Sequence, residues 1–160
     1  MIKNNLITVK LFYCLFVAGI IFIIDRIAKI YIINNNENII YVYDYLNLEL
    51  VWNTGIGFGL LSLNAGILYN IISLIILIIV FLLIYLIVKS DKFESIFYSM
   101  IAGGAVGNLY DRITYFAVPD FIDMHFHNYH WFTFNVADIF ITLGIILILL
   151  KDLIFKKSKL

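Results

Sequence analysis

Apolar residues along this chain gather into four long runs, with the polar residues collected in the stretches between them. The first run, Leu11 to Ile33, is broken only near its far end, by Asp25, Arg26 and Lys29. The others run from Ala65 to Val88, from Phe93 to about Tyr110, and from Phe134 through Leu150. A helix needs roughly 20 apolar residues to cross a bilayer. The pattern therefore predicts four transmembrane helices over about 11–33, 65–88, 93–110 and 134–155 of a single domain, 1–160. The two longer connections, 34–64 and 111–133, partly alternate and are rich in aromatic residues, as in I-I-Y-V-Y-D-Y-L-N-L-E-L-V-W-N. That favours strand. The fold class expected is membrane α-helical, with small β-rich elements in the longer loops.

Lysines orient this arrangement. Eight of them (3, 10, 89, 92, 151, 156, 157 and 159) fall at the termini and in the short turn after the second run. Neither longer loop contains a lysine. The positive-inside rule then predicts both termini in the cytoplasm and both longer loops outside, with Trp52 and Trp131 as interface anchors. In that topology Asp25 with Lys29, Asn108 to Arg112, and Asn135 to Asp138 all lie at one level near the outer face. Asp25 and Lys29, four residues apart, share a helix face.

Composition agrees with the pattern. The 160 residues are 63% hydrophobic and 14% charged, with mean hydropathy +0.99; soluble domains carry about 25% charged residues. Zero formal net charge argues against a nucleic-acid partner. The single cysteine, Cys14, lies inside the first run, which excludes a disulfide framework and suits a small buried hydrophobe.

The candidate chemistry concentrates in V-P-D-F-I-D-M-H-F-H-N-Y-H-W-F-T-F-N-V-A-D, residues 118–138. Asp120 and Asp138 bracket this stretch, and an acid at the head of a membrane-length helix is costly unless it has a function. Two carboxylates brought close together cannot both ionise; they share a proton and can activate water. Pro119 fixes its own φ and biases Val118 to extended backbone, which helps position Asp120. Asn135, three residues before Asp138, suits either a helix N-cap or a group that orients the carboxylate. In G-G-A-V-G-N-L-Y-D-R (103–112), small residues four apart let helices approach closely. Asp111 is expected to form a structural ion pair with Arg112. Asn108 is expected to bond loop backbone, and Arg112 to meet a lipid phosphate or loop carbonyls. Histidines 125, 127 and 130 alternate as metal ligands can, but no HExxH and no evident fourth ligand accompany them, so neither metal nor cofactor is expected.

Five segments, in order, resemble a known family. They are D-R-I-A-K (25–29), N-T-G-I-G-F-G (53–59), G-G-A-V-G-N-L-Y-D-R (103–112), V-P-D-F-I-D (118–123) and F-N-V-A-D-I-F-I-T-L-G (134–144). Together they look like lipoprotein signal peptidase, the signal peptidase II family of bacterial intramembrane aspartyl proteases. The resemblance implies four membrane helices with periplasmic β-rich elements, in the bacterial inner membrane. It implies cleavage of prolipoproteins on the N-terminal side of a diacylglyceryl-modified cysteine. It makes Asp120 and Asp138 the catalytic pair, with Asp25, Lys29, Asn53, Gly55, Asn108, Arg112 and Asn135 in support. It also implies inhibition by the cyclic peptide globomycin. Two positions depart from the family's usual pattern: Gly57 replaces an alanine and Pro119 a valine.

The sequence thus leads to the expectation of a monomeric aspartyl endopeptidase, with prolipoproteins and membrane lipids as its partners. The alternative is a proton-coupled transporter or channel, since intramembrane Asp and Arg also mark ion pathways. Against that, neither half of the chain repeats the other and the polar groups sit at one face.

Overall fold

The computed structural model describes residues 2–35, 39–54, 65–127 and 129–156. Among these residues four helices, α1 (Ile2–Asn34), α2 (Ala65–Lys89), α3 (Lys92–Tyr115) and α4 (Val136–Lys156), pack with one four-stranded antiparallel sheet. Its strands β1 (Ile40–Tyr43), β2 (Leu46–Asn53), β3 (Val118–Phe126) and β4 (Tyr129–Phe134) lie side by side in chain order. The strand-favouring loops therefore do form strands. Two helices exceed their expected bounds. α1 begins at Ile2 rather than near residue 11, and α3 continues through Asp111 and Arg112 to Tyr115.

α3 is the hub, packed against the other three helices. Its buried face is made of small residues: Ser95, Ser99, Ala102, Gly103, Gly104, Ala105 and Gly107. A Cβ on Gly103 would lie 2.7 Å from the Ala18 carbonyl oxygen of α1, and one on Gly104 would lie 2.6 Å from that of Ala137 in α4. The small-residue spacing thus seats helices on both sides of α3. Ser95 and Ser99 direct their hydroxyls to backbone carbonyls, Ser95 to Asp91 and Ile87 and Ser99 to Ser95, so neither buries an unmet polar atom.

The outer surface inverts the soluble pattern. Large apolar residues such as Phe12, Leu15, Ile27, Ile78, Phe81 and Leu153 are exposed, while charged groups lie inside. Lipid supplies no hydrophobic drive between helices, so small-residue packing and internal polar contacts hold such a bundle together. The segments Ile7–Asn34 and Tyr69–Lys89 are long and apolar enough to cross a membrane.

Opposite the sheet, lysines close the bundle. Asp91 caps α3 by accepting from the backbone N–H groups of Phe93 and Glu94. Lys151 of α4 pairs with Asp91 and, at 2.9 Å, with Glu94. Lys10 of α1 donates to the Val88 and Ser90 carbonyls at 3.0 and 2.9 Å, meeting acceptors that the end of α2 leaves unpaired.

Candidate active site

The start of α4 organises the site. Asn135 is its N-cap: the side-chain oxygen accepts from the Asp138 N–H at 3.0 Å, while the Asp138 carboxylate accepts from the Asn135 N–H at 3.2 Å. This reciprocal arrangement is a capping box, with aspartate in the place usually held by Glu or Gln. Because the Asn135 oxygen is occupied, its amide nitrogen must face the other way. There it donates to Asp120 Oδ1 at 2.5 Å. The two roles expected of Asn135 as alternatives are therefore performed at once, and one side chain holds both acids. Helix capping and carboxylate placement become a single constraint.

Asp120 reaches this point from β3, where its strand partner is Val51 of β2. Two positions further along β2, Asn53 donates to Asp120 Oδ2 at 2.8 Å. Pro119 lies opposite Trp52, beyond the last described residue pair between β3 and β4, where its missing N–H interrupts no β4 pairing. Asp120 is buried and Asp138 is half-buried. Burial pushes the Asp120 carboxyl up to about 6. The Asn53 and Asn135 hydrogen bonds oppose that rise, and the Asp138 charge adds to it.

Beneath the acids lies a neutral four-charge cluster. Lys29 pairs with Asp25 at 2.8 Å and with Asp111 at 2.7 Å; Arg26 pairs with Asp111 at 2.5 Å and with Asp25 at 3.2 Å. All four residues are buried. The Asp111–Arg112 pair expected from the sequence does not form. Helical continuation past residue 110 turns Asp111 inward to α1, while the Arg112 guanidinium lies 5.4 Å from the Tyr69 ring. Arg26 was absent from the sequence-derived site. Charge balance could have revealed both residues, because two cations inside an apolar helix require two acids, and only one, Asp25, lies beside them.

The cluster connects to the carboxylate pair at two points. Lys29 donates to Asn108 Oδ1 at 2.8 Å, which forces the Asn108 amide nitrogen outward to Asp138 Oδ1, also at 2.8 Å. Asn108 thus bonds a carboxylate, not the loop backbone expected. Asp25 Oδ1 accepts from the Ala137 N–H at 3.0 Å, satisfying a helix-start donor that would otherwise lack a partner. Gly107 makes room for this contact: a Cβ there would lie 2.8 Å from Asp25 Oδ2.

Of the supporting residues, Asp25, Lys29, Asn53, Asn108 and Asn135 thus form one connected network with Asp120 and Asp138. Arg112 stands apart. Its backbone carbonyl accepts from Tyr69 Oη at 2.5 Å, and its Nε and Nη1 are buried without a hydrogen-bond partner among the described residues. Gly55 and Gly57 lie outside the described residues. Among those described, no cation pairs directly with Asp120 or Asp138.

Comparison with known proteins agrees in family and in fold. Residues 17–154 match the model of the family described as signal peptidase (SPase) II. The chain is 47% identical to the lipoprotein signal peptidase of Pelagibacter ubique (strain HTCC1062), over 97% of this chain and 96% of that protein. It is 38% identical to the lipoprotein signal peptidase of Anaplasma phagocytophilum (strain HZ), over 86% and 89%. Among solved structures it is similar to a bacterial membrane enzyme determined by the in meso method at 2.3 Å resolution. The TM-score is 0.80 and the identity 29%, with 92% of each chain covered.

Proposed function

Because this chain belongs to the signal peptidase II family, and is thus a membrane peptidase that removes signal peptides from prolipoproteins, we propose that it does so with Asp120 and Asp138 as a water-activating pair. One observation carries the proposal: Asn135 holds both carboxylates, one from a strand and one from a helix start. Surrounded by neutral amide donors, the pair shares one proton. The ionised carboxylate takes a proton from water as the water adds to the scissile carbonyl. The protonated one then supplies the leaving amine.

Arg112, with two buried N–H groups free of hydrogen-bond partners among the described residues, is suited to bind a carbonyl or phosphate oxygen of the arriving substrate. Asn53, which bonds Asp120, and Gly55, two residues on in the chain, help position the peptide. In this reading all four helices span the bacterial inner membrane. α3 and α4 depart from simple apolarity because they carry the interior polar groups. Both termini are cytoplasmic and the site opens near the outer face, where water meets a signal helix still in lipid. The enzyme acts as a monomer on diacylglyceryl-modified prolipoproteins, contacts membrane lipids directly and is inhibited by globomycin-type peptides.

The test is cleavage of a diacylglyceryl prolipoprotein by purified protein in detergent containing a chelator. Wild type is expected to cut before the modified cysteine. Asp120→Asn and Asp138→Asn should each stay folded and lose about 10²–10⁴-fold in rate. Near-wild-type activity in either variant, or loss of wild-type activity on chelation, would overturn the reading.

A further inference from the structure

A second cluster occupies the β3–β4 hairpin. Asp123 Oδ2 lies 2.8 Å from His130 Nδ1 and 3.3 Å from His125 Nδ1, and one potential ligand atom from each residue lies within 4.8 Å of the others. Asp123 and His125 are two residues apart on β3 and so share a face of the sheet. His130 joins them through an irregularity in the ladder. Met124 pairs with Phe132, but His125 pairs with His130, so β4 contains one extra residue, Trp131. Such a bulge re-aims the residues beyond it. Without it Trp131 would oppose His125, and the two imidazoles would not stack as they do at 5.4 Å.

Two unmet polar atoms distinguish this cluster from an ordinary hydrogen-bonded aspartate. The Asp123 carboxylate is 2% exposed and bonds His130, yet His125 Nδ1 is buried with no hydrogen-bond partner among the described residues. Asn47 stands directly opposite Asp123 on β2, hence on the same face, and its Oδ1 is likewise buried and unpartnered. A proton between Asp123 and His130 satisfies two of these atoms and leaves the other two unmet. A cation would draw on the lone pairs that remain.

The geometry points to a structural site for a divalent transition-metal ion, zinc being the natural occupant, held by Asp123, His125 and His130. Ligand atoms on a tetrahedral zinc with bonds of about 2.0–2.1 Å lie about 3.3 Å apart. The Asp123–His125 separation has that value, while the 2.8 Å Asp123–His130 contact would need to open slightly. His130 is half-exposed, which gives an ion an entry path and leaves a coordination position for water. The site is a clamp and takes no part in cleavage. Asp120 is three residues from Asp123 on the same strand, so its side chain points to the other face.

The test uses untagged protein in detergent, stripped with a chelator and titrated with zinc, with bound metal counted by mass spectrometry and stability followed by thermal unfolding. Wild type is expected to take up a single equivalent and to unfold at higher temperature when loaded. His125→Gln, His130→Gln and Asp123→Asn should each weaken binding by about tenfold or more, while His127→Asn, a turn position with φ 51°, should not. The Gln variants must unfold at the metal-free wild-type temperature, which separates lost ligation from lost folding. Failure of wild type to bind zinc would overturn the site, as would undiminished binding by a His125→Gln, His130→Gln double variant. Prolipoprotein cleavage is scored separately: Asp120→Asn should keep the zinc, and stripped wild type should keep the peptidase, so either proposal can fail alone.

Discussion

Two pairs of acids lie within a few side chains of each other at the same end of the bundle, and their surroundings differ in kind. Asp25 and Asp111 face Lys29 and Arg26, two charges against two. Asp120 and Asp138 are held by Asn53, Asn108 and Asn135 and by a backbone N–H. Cations pair with the first two, whose contacts anchor α1, α3 and the start of α4. Amides hydrogen-bond the second pair without neutralising it, which is what the proposed proton-sharing pair requires. The comparison shows how one bundle end can hold four acids in two different kinds of surroundings, one ionic and one built of amides. The ionic cluster makes the amide cluster rigid, since Lys29 orients Asn108 and Asp25 fixes Ala137.

The sharpest way to break this contrast is to unbalance the ionic side. Lys29→Met leaves two buried acids facing one guanidinium, and loss of one partner from a buried pair costs about 3–5 kcal/mol. Thermal unfolding in detergent should show that loss. Lys29→Met combined with Asp111→Leu restores neutrality and should recover much of it. If the double variant is as unstable as the sum of the singles, the cluster is not a charge-balanced unit.

The amide side answers to pH. Asp120, at about 6 in the folded chain and about 3.9 when unfolded, binds its proton more tightly when folded. Its contribution to stability is therefore full below pH about 4 and is lost as pH rises through about 6. A shift of that size corresponds to about 2–3 kcal/mol. Stability measured against pH should fall across this window in wild type and stay flatter in Asp120→Asn. An equal slope in both would assign the titration elsewhere. In kcat/KM the protonated limb should fall near pH 6, and in kcat it should lie higher, because bound substrate excludes water from the pair.

A smaller effect tests the coupling between the two sides. Gly104→Ala places a methyl 2.6 Å from the Ala137 carbonyl oxygen. Overpacking of this kind costs about 1–3 kcal/mol, and here it pushes the first turn of α4 away from α3. Because Asp138 is in that turn, cleavage should fall more than stability alone explains. Gly66→Ala, where a Cβ meets nothing within 4 Å, is the control and should change neither reading. If Gly104→Ala is as active as the control, helix seating does not set the carboxylates.

Most of the fold was legible because a bilayer enforces simple rules on sequence. Apolar runs gave the helices to within a few residues, except where α1 begins earlier and α3 ends later than expected. Hydropathy cannot see those ends, since a helix continues through polar residues wherever a partner meets them. The polar residues that meet in one network, Asp25, Lys29, Asn53, Asn108, Asp120, Asn135 and Asp138, were also legible, because polar groups in or beside apolar runs stand out. Partner choice was not. Asp111 lies beside Arg112 in the chain but pairs across the bundle with Arg26 and Lys29, because helix rotation sends neighbouring side chains in different directions.

The sequence alone thus determined that the chain has membrane-length helices, that strands fill its longer loops, and which acids stand out, because each follows from local composition and spacing. Tertiary structure decided what those acids meet. It set two against cations and two against amides, turned Asn135 into cap and bridge together, and used one extra residue in β4 to bring His130 to His125. Those are contacts between segments distant in the chain or shifted in register. Their energies depend on distances that exist only once the helices and the sheet have packed.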